Sequence, residues 1–257
     1  MRFSGELLTR ASIEAVLFDA DGVFQRPSFW WRRAFGRLLR TPDAERIDAF
    51  ARDFDAAERS ALCVSAGFED VLAIVLERWN CPDRLDEALR ILTTIEIYDD
   101  ILDTAQWVRR SGLPCHLATN QQAHRARHMT EVMAYRELFD REFYSCFLGA
   151  AKPEIKFFAT VLRELDLPGL SVLFLDDREE NVAAARAAGL RAEVFDGSHG
   201  AGALRAVLSG FGVKFGQAGE HGASWPRLVN SVDTEDHGFR HQPRKHRYGQ
   251  ALHRNHP

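Results

Sequence analysis

An open, doubly wound α/β sheet interrupted by an all-helical insertion is the architecture this sequence predicts. Short, near-continuous apolar runs each end in small polar or acidic residues, as strands buried on both faces of a parallel sheet do. Amphipathic stretches with helical spacing separate those runs, and strands alternating with helices make a doubly wound fold. One long interval, between Phe24 and Tyr98, carries helical patterns and no strand run.

The elements follow in chain order. Ala15 to Phe18 reads as a strand ending at Asp19. Phe29 to Leu39, Ala44 to Arg59, Phe68 to Trp79 and Arg84 to Ile97 read as helices, punctuated by Pro27, Thr41-Pro42, Ser65-Ala66-Gly67 and Cys81-Pro82. Ile101, Ala105 and Val108 mark one face of a helix that opens on Asp99-Asp100 as its N-cap and stops at Ser111-Gly112. Pro114 to Ala118 reads as a strand ending at Thr119, and Phe143 to Leu148 as a strand ending in Gly149-Ala150-Ala151. After Pro153, placed at the first helical position, Ile155, Phe158, Ala159 and Leu162 line a helix. Ser171 to Leu175 ends at Asp176-Asp177, Glu179 to Ala188 closes on a C′ glycine, Gly189, and Arg191 to Phe195 ends at Asp196-Gly197. The expected organisation is an α/β core of residues 1–24 and 98–215, a helical insertion of residues 25–97, and a polar, aperiodic, disordered tail of residues 216–257.

Composition narrows the function. At 257 residues, 46% hydrophobic and 27% charged, the chain is long enough to bury a core without staples. The longest aliphatic run, Val71 to Leu76, is far below the ~20 residues that cross a bilayer, so no membrane partner is expected. The N-terminal residues lack the apolar stretch of a secretion signal, and four cysteines without a CxxC spacing read as reduced thiols, so the expected compartment is the cytoplasm. Residues 237–257 hold five Lys/Arg and no acid, leaving 28 basic against 37 acidic residues elsewhere, a net charge of −9. A basic nucleic-acid footprint is therefore not expected on the folded part. Composition carries no signal for an oligomeric state.

The polar groups at the strand ends carry the chemistry: Asp19-Ala20-Asp21-Gly22, Thr119-Asn120, Lys152-Pro153 and Asp176-Asp177. An open α/β sheet binds its ligands there. Singly they are weak, since Thr119 alone reads as a helix cap and Lys152 as a solvated lysine; in order at successive strand ends they form a site. Other candidates read as structure. Asp53-Phe54-Asp55 decorates a helix, His116 is a packed strand residue, and Trp30-Trp31 belong to the core of the insertion. His124 and His128, with Arg125 and Arg127 beside them, read as an exposed helix face, and Gly200-Ala201-Gly202 lacks dinucleotide spacing.

In order and context, VLFDADGVF, LATNQ, AKPEIKFF and VLFLDDREENV resemble the four motifs of the haloacid dehalogenase (HAD) superfamily, spread over about residues 14 to 196. Receiver domains also gather aspartates, a threonine and a lysine, but there the acidic pair comes first and no helical insertion follows the first strand. The resemblance implies a Rossmann-like core, with the insertion acting as a cap between the first and second motifs. It implies that Asp19 attacks phosphorus to form an aspartyl-phosphate. It assigns Mg²⁺ to the Asp19 carboxylate, the Asp21 carbonyl and the Asp177 carboxylate, with Asp176 near the metal through water and Asn181 behind it. The free side chain of Asp21 would protonate the leaving alcohol and then activate water, while Thr119, Asn120 and Lys152 hold the phosphate. Dehalogenases of the superfamily expel halide and keep no acid at the position of Asp21.

Charge explains the need for a cation. At ~4 Å and an effective dielectric of ~20, each unit pair of like charges repels by about 4 kcal/mol, so a carboxylate nucleophile meets about 8 from a phosphate dianion. An all-oxygen site suits Mg²⁺. The expected activity is a Mg²⁺-dependent phosphatase acting on a small soluble phosphomonoester such as a sugar phosphate or nucleotide. The alternatives are a mutase or phosphotransferase using the same chemistry, and a binding or regulatory protein that keeps the fold without turnover.

Overall fold

A computed structural model describes residues 12–27 and 31–215. The 216–257 tail, and Trp30 with it, lie outside the described residues. The first strand, β1 (Ala15–Phe18), is followed by β2 (Gln25–Pro27) and four helices, α1 (Trp31–Leu38), α2 (Ala44–Ser60), α3 (Phe68–Arg78) and α4 (Leu85–Thr93). Then come β3 (Ile95–Ile97), α5 (Asp99–Arg110), β4 (Cys115–Thr119), α6 (Ala123–Glu131), the short α7 (Tyr135–Leu138), β5 (Arg141–Tyr144) and the short α8 (Ser145–Leu148). The chain continues through α9 (Ile155–Leu165), β6 (Val172–Asp176), α10 (Glu179–Ala187), β7 (Arg191–Val194) and α11 (Gly200–Gly210).

The expected doubly wound sheet is present: five parallel strands in the order β5-β4-β1-β6-β7. The chain builds outward from β1 through β4 to β5, then crosses to β6 on the other side, so the switch point lies between β1 and β6. Alternate strand residues feed two apolar layers, as a period of two requires. Val16, Phe18, Leu117, Leu173 and Leu175 pack with α5, α6 and α11, whereas Leu17, Ala118, Val172 and Phe174 pack with α9 and α10. Helices α1 to α4 form a third cluster of their own around Phe35, Phe50, Phe54, Phe68 and Leu72. The α2 helix starts where Asp43 accepts from the amides of Glu45 and Arg46, satisfying two of its free first-turn donors.

Several elements differ from the sequence reading. The interval between Phe24 and Tyr98 does contain strands: β2 and β3 pair antiparallel, with Gln25 opposite Ile97, and α4 stops at Thr93. Three residues are too few to display a strand period. The run Phe143 to Leu148 is divided, the strand ending at Tyr144 and Ser145–Leu148 forming one helical turn closed by Gly149 at φ +66°. Asp99 and Asp100 sit inside the first turn of α5, whose N-cap is Tyr98. Pro153 precedes Glu154, the N-cap of α9, and the Lys152–Pro153 peptide is cis. The buried face also differs from the expected one: Phe157, Phe158 and Val161 are buried, while Ile155 and Ala159 face solvent. Gly189, with φ +95°, does follow the C-cap of α10.

Candidate active site

Parallel pairing of β1 with β6 sets Phe18 opposite Leu175, so the next residues, Asp19 just past β1 and Asp176 at the last position of β6, stand side by side at the switch point. Thr119 ends β4 on the other flank of β1 and is 1% exposed. Lys152 arrives from the loop between α8 and α9, its side chain 1% exposed. Its ammonium donates to Asp176 Oδ2 at 2.7 Å, pairs with Asp19 Oδ1 at 2.9 Å and donates to the Ala118 carbonyl at 3.0 Å. Three partners use all three of its protons. Burial works against that charge, but Asp176 and Asp19 outweigh it and hold the lysine above its ordinary pKa.

Asn120 anchors this lysine from the main chain. Its Nδ2 donates to the Lys152 carbonyl and its Oδ1 accepts from the Lys152 amide, both at 2.8 Å. The residue expected as a phosphate accessory thus has both amide ends engaged on the lysine's backbone.

Among the described residues, Asp19, Asp176 and Asp177 form a group whose carboxylate oxygens lie within 4.8 Å of one another. One lysine does not neutralise three carboxylates. Burial above all, with the charges of Asp176 and Asp177 adding and Lys152 opposing, pushes Asp19 up to about 8. Loss of water around its carboxyl and the neighbouring Asp176 bring Asp177 to about 7. A cluster of hard oxygen donors short of positive charge fits a Mg²⁺-type cation. Asp176 is the least available of the three: Oδ2 takes the lysine, Oδ1 accepts from the Arg178 amide at 2.9 Å, and Asn181 Nδ2 donates to both oxygens at 3.0 Å. Asn181 therefore orients Asp176.

Gly22 makes the approach of the loops possible. It holds φ +83°, and a Cβ there would stand 2.4 Å from the Asp177 carboxyl carbon. The glycine that lets the chain leave the strand also clears the space beside Asp177.

The side chain of Asp21 is not free, in contrast to the sequence reading. Oδ1 accepts from Gln25 Nε2 at 2.9 Å and Arg125 Nη2 at 2.7 Å; Oδ2 accepts from Gln121 Nε2 at 2.8 Å and Arg125 Nη1 at 2.5 Å. Burial would raise its pKa, but the Arg125 charge and these hydrogen bonds hold it below the ordinary carboxylate value. The polar pattern of α6 predicts an exposed helix face for Arg125. Its side chain is in fact 12% exposed. The only signal was spacing, four residues past Gln121, with which Arg125 Nη1 also bonds at 3.1 Å. His124 is half-buried and meets Glu69 of α3 at 3.3 Å, and Arg127 reaches the same Glu69 oxygen at 3.1 Å. Glu58 of α2 lies within the field of Arg125 and Asp21; burial foremost, with Arg125 opposing and Asp21 adding, brings it to about 7.

The remaining candidates behave as structure. Asp53 accepts from the Trp79 indole, Asp55 pairs with Arg59, and His116 is packed in β4. No helix among the described residues is long and apolar enough to cross a membrane.

Known proteins resemble this chain in sequence and in fold. Residues 13–189 match the family model of haloacid dehalogenase-like hydrolases. The chain is 31% identical over 200 residues to the phosphatase MT3486 of Mycobacterium tuberculosis, covering 73% of this chain and 89% of that protein. It is 28% identical over 201 residues to the protein CbbY of Cereibacter sphaeroides, covering 72% and 85%. Among solved structures, a predicted HAD-like hydrolase from Porphyromonas gingivalis superposes with a TM-score of 0.62 at 18% identity, covering 77% of this chain and 98% of that one. The HAD family enzyme bt-2542 of Bacteroides thetaiotaomicron, solved with magnesium and inorganic phosphate, gives 0.58 at 18% identity, covering 73% and 98%. A family match across more than half the length, on a sheet whose carboxyl edge gathers these carboxylates and this lysine, leads to one conclusion: the chain belongs to the haloacid dehalogenase-like hydrolases.

Proposed function

We propose that this chain is a Mg²⁺-dependent phosphatase that hydrolyses small phosphomonoesters through an aspartyl-phosphate on Asp19. The observation that carries the reading is the grouping of Asp19, Asp176 and Asp177 around one fully engaged lysine at the switch point. The Asp19 and Asp177 carboxylates and the Asp21 carbonyl would hold the cation, with Asp176 behind them, fixed by Lys152 and Asn181. When bound, Mg²⁺ would supply positive charge against which the anionic nucleophile and the phosphate can approach.

The chain's own groups then divide the work. Asp19 attacks phosphorus, the ester P–O bond breaks, and the departing alkoxide takes a proton from Asp21, which must first take that proton from water as one of its four donors lets go. Water next attacks the phosphorylated Asp19 at phosphorus, giving a proton to Asp21, and the Asp19–phosphorus bond breaks to release inorganic phosphate. Thr119 would donate its hydroxyl to a phosphate oxygen. Lys152 would lend charge to the transferring group, Asn120 acting through its hold on the lysine. The helices of residues 31–93 would form the cap that closes over the substrate and excludes water.

Asp21 favours phosphoryl transfer over dehalogenation, because halide leaves without a proton. The likeness to MT3486, itself named a phosphatase, supports the same reading. The bt-2542 enzyme carries magnesium and phosphate on the same fold. L-2-Haloacid dehalogenase of Xanthobacter autotrophicus also shares the fold, at a TM-score of 0.51 and 18% identity, so the fold by itself does not choose between the two chemistries.

Wild type and Asp19→Asn assayed on p-nitrophenyl phosphate with Mg²⁺ test the proposal. The variant is expected to lose at least about 10³-fold in turnover, as loss of a covalent nucleophile does. EDTA should silence the wild type. Equal turnover by both proteins would remove Asp19 as nucleophile.

A further inference from the structure

We propose that Arg125 is a positioning residue for the proton transfers of Asp21, an inference that rests on the phosphatase reading above. A carboxylate offers about four lone-pair sites. The four Asp21 sites are filled by Gln25, Gln121 and the two terminal nitrogens of Arg125. To serve a leaving alcohol or a water, Asp21 must therefore give up a partner while the others keep it aimed.

Arg125 dominates that set. It alone touches both oxygens, and its bonds of 2.5 and 2.7 Å are the shortest of the four. A planar fork of this kind fixes the orientation of a carboxylate as a single-point donor does not. Gln25 is itself pinned, its Oε1 accepting from the Tyr135 hydroxyl at 2.7 Å, and Gln121 is braced by Arg125. The arginine is thus the hub of the cluster that aims Asp21.

Its helix connects the site to the helical segment. On α6, the flanking His124 and Arg127 both reach Glu69 of α3, and Arg125 itself lies in the field of Glu58 on α2. The side chain that aims the proton donor therefore sits on the element where the helical segment is tied to the sheet.

The test follows p-nitrophenyl phosphate turnover by the full chain with Mg²⁺. Nitrophenolate departs without needing a proton, so the first release of nitrophenol reports attack by Asp19, whereas steady turnover also reports water activation by Asp21. Arg125→Ala is expected to leave the initial burst rate within about twofold, lower kcat at least about tenfold, and change KM by less than about threefold. Arg125→Lys should recover only part of kcat, because one ammonium does not span both oxygens. In an Asp21→Asn background, adding Arg125→Ala should change kcat by less than about twofold.

A burst slowed as much as turnover, full losses that add in the Asp21→Asn background, or an unchanged kcat would each overturn the proposal. Where Arg125→Ala does not fold, Arg125→Lys read in both backgrounds gives the same decision. Failure here is distinct from failure of the phosphatase reading: if Asp19→Asn is inactive while Arg125→Ala behaves additively, only the positioning role falls.

Discussion

Two kinds of ion pair in this molecule stand in contrast. At the carboxyl edge of the sheet, Lys152 joins Asp19 and Asp176 with side chains 1%, 8% and 0% exposed. On the helical segment, Arg59 with Asp55 and Arg32 with Asp48 pair in the open, the arginines 54% and 57% exposed. Exposed pairs are worth little, because water screens them and holding two long side chains together costs entropy. Buried pairs lose much of their attraction to desolvation, and apolar residues of similar volume would often be as stable. The contrast teaches that stability alone does not account for the inner group, which on the proposed reading is there to act on an anion, whereas the outer pairs lie on a solvated face. The helical segment takes its stability instead from aromatic packing around Phe35, Phe50 and Phe54.

The contrast breaks most readily at Lys152. Lys152→Met should cost about 3–5 kcal/mol in denaturant unfolding, since it leaves Asp19 and Asp176 buried without their cation, and it should abolish turnover. Adding Asp176→Leu should return a good part of the stability and none of the activity. A double variant as unstable as the single one would show that uncompensated charge is not the cause.

A smaller effect sharpens the cost of burying charge without a partner. His116 is 5% exposed, its Nδ1 unpartnered, and burial lowers its pKa to about 4, with the Arg141 and Arg109 charges also lowering it and Asp140 opposing. The folded imidazole stays neutral between about 4 and 6.5 while the unfolded one binds a proton, so stability should fall as pH drops through that window. The full loss from this group is about 3 kcal/mol, at 1.36 kcal/mol per pH unit. Unfolding of wild type and His116→Phe at pH 7 and pH 4.5 checks it, and parallel losses in both proteins would remove His116 as the source. Smallest of all, Arg59→Ala should shift unfolding by no more than about 0.5 kcal/mol, and less in high salt.

The strand ends were legible because a buried parallel strand shows as an unbroken apolar run, and the polar residue that stops the run stands at the carboxyl edge of the sheet. Asp19, Thr119 and Asp176-Asp177 all announce themselves in this way. Lys152 became legible through its order among the motifs, since its own strand, β5, ends eight residues earlier at Tyr144. The short β2 and β3 pair was hidden because three residues carry no period. Arg125 was hidden for a different reason. Its neighbours Arg127 and His128 give α6 a polar pattern that reads as a solvated face, and nothing local reveals that Asp21, 104 positions away, needs a counter-charge. Pairing across the fold is the information a single linear pattern lacks.

The ladder between β1 and β6 has a consequence for how this chain can vary. Phe18 faces Leu175 with no irregularity before the two acidic ends, so the neighbourhood of Asp19 is counted off in whole peptide units. Deleting one residue inside Ala15–Phe18 would turn every following side chain to the opposite layer and aim Asp19 away from Asp176. Extra residues in the turn at Ser111–Gly112, by contrast, would leave that count untouched. Length changes in descendants of this sequence should therefore gather in the turns and spare the two central strands.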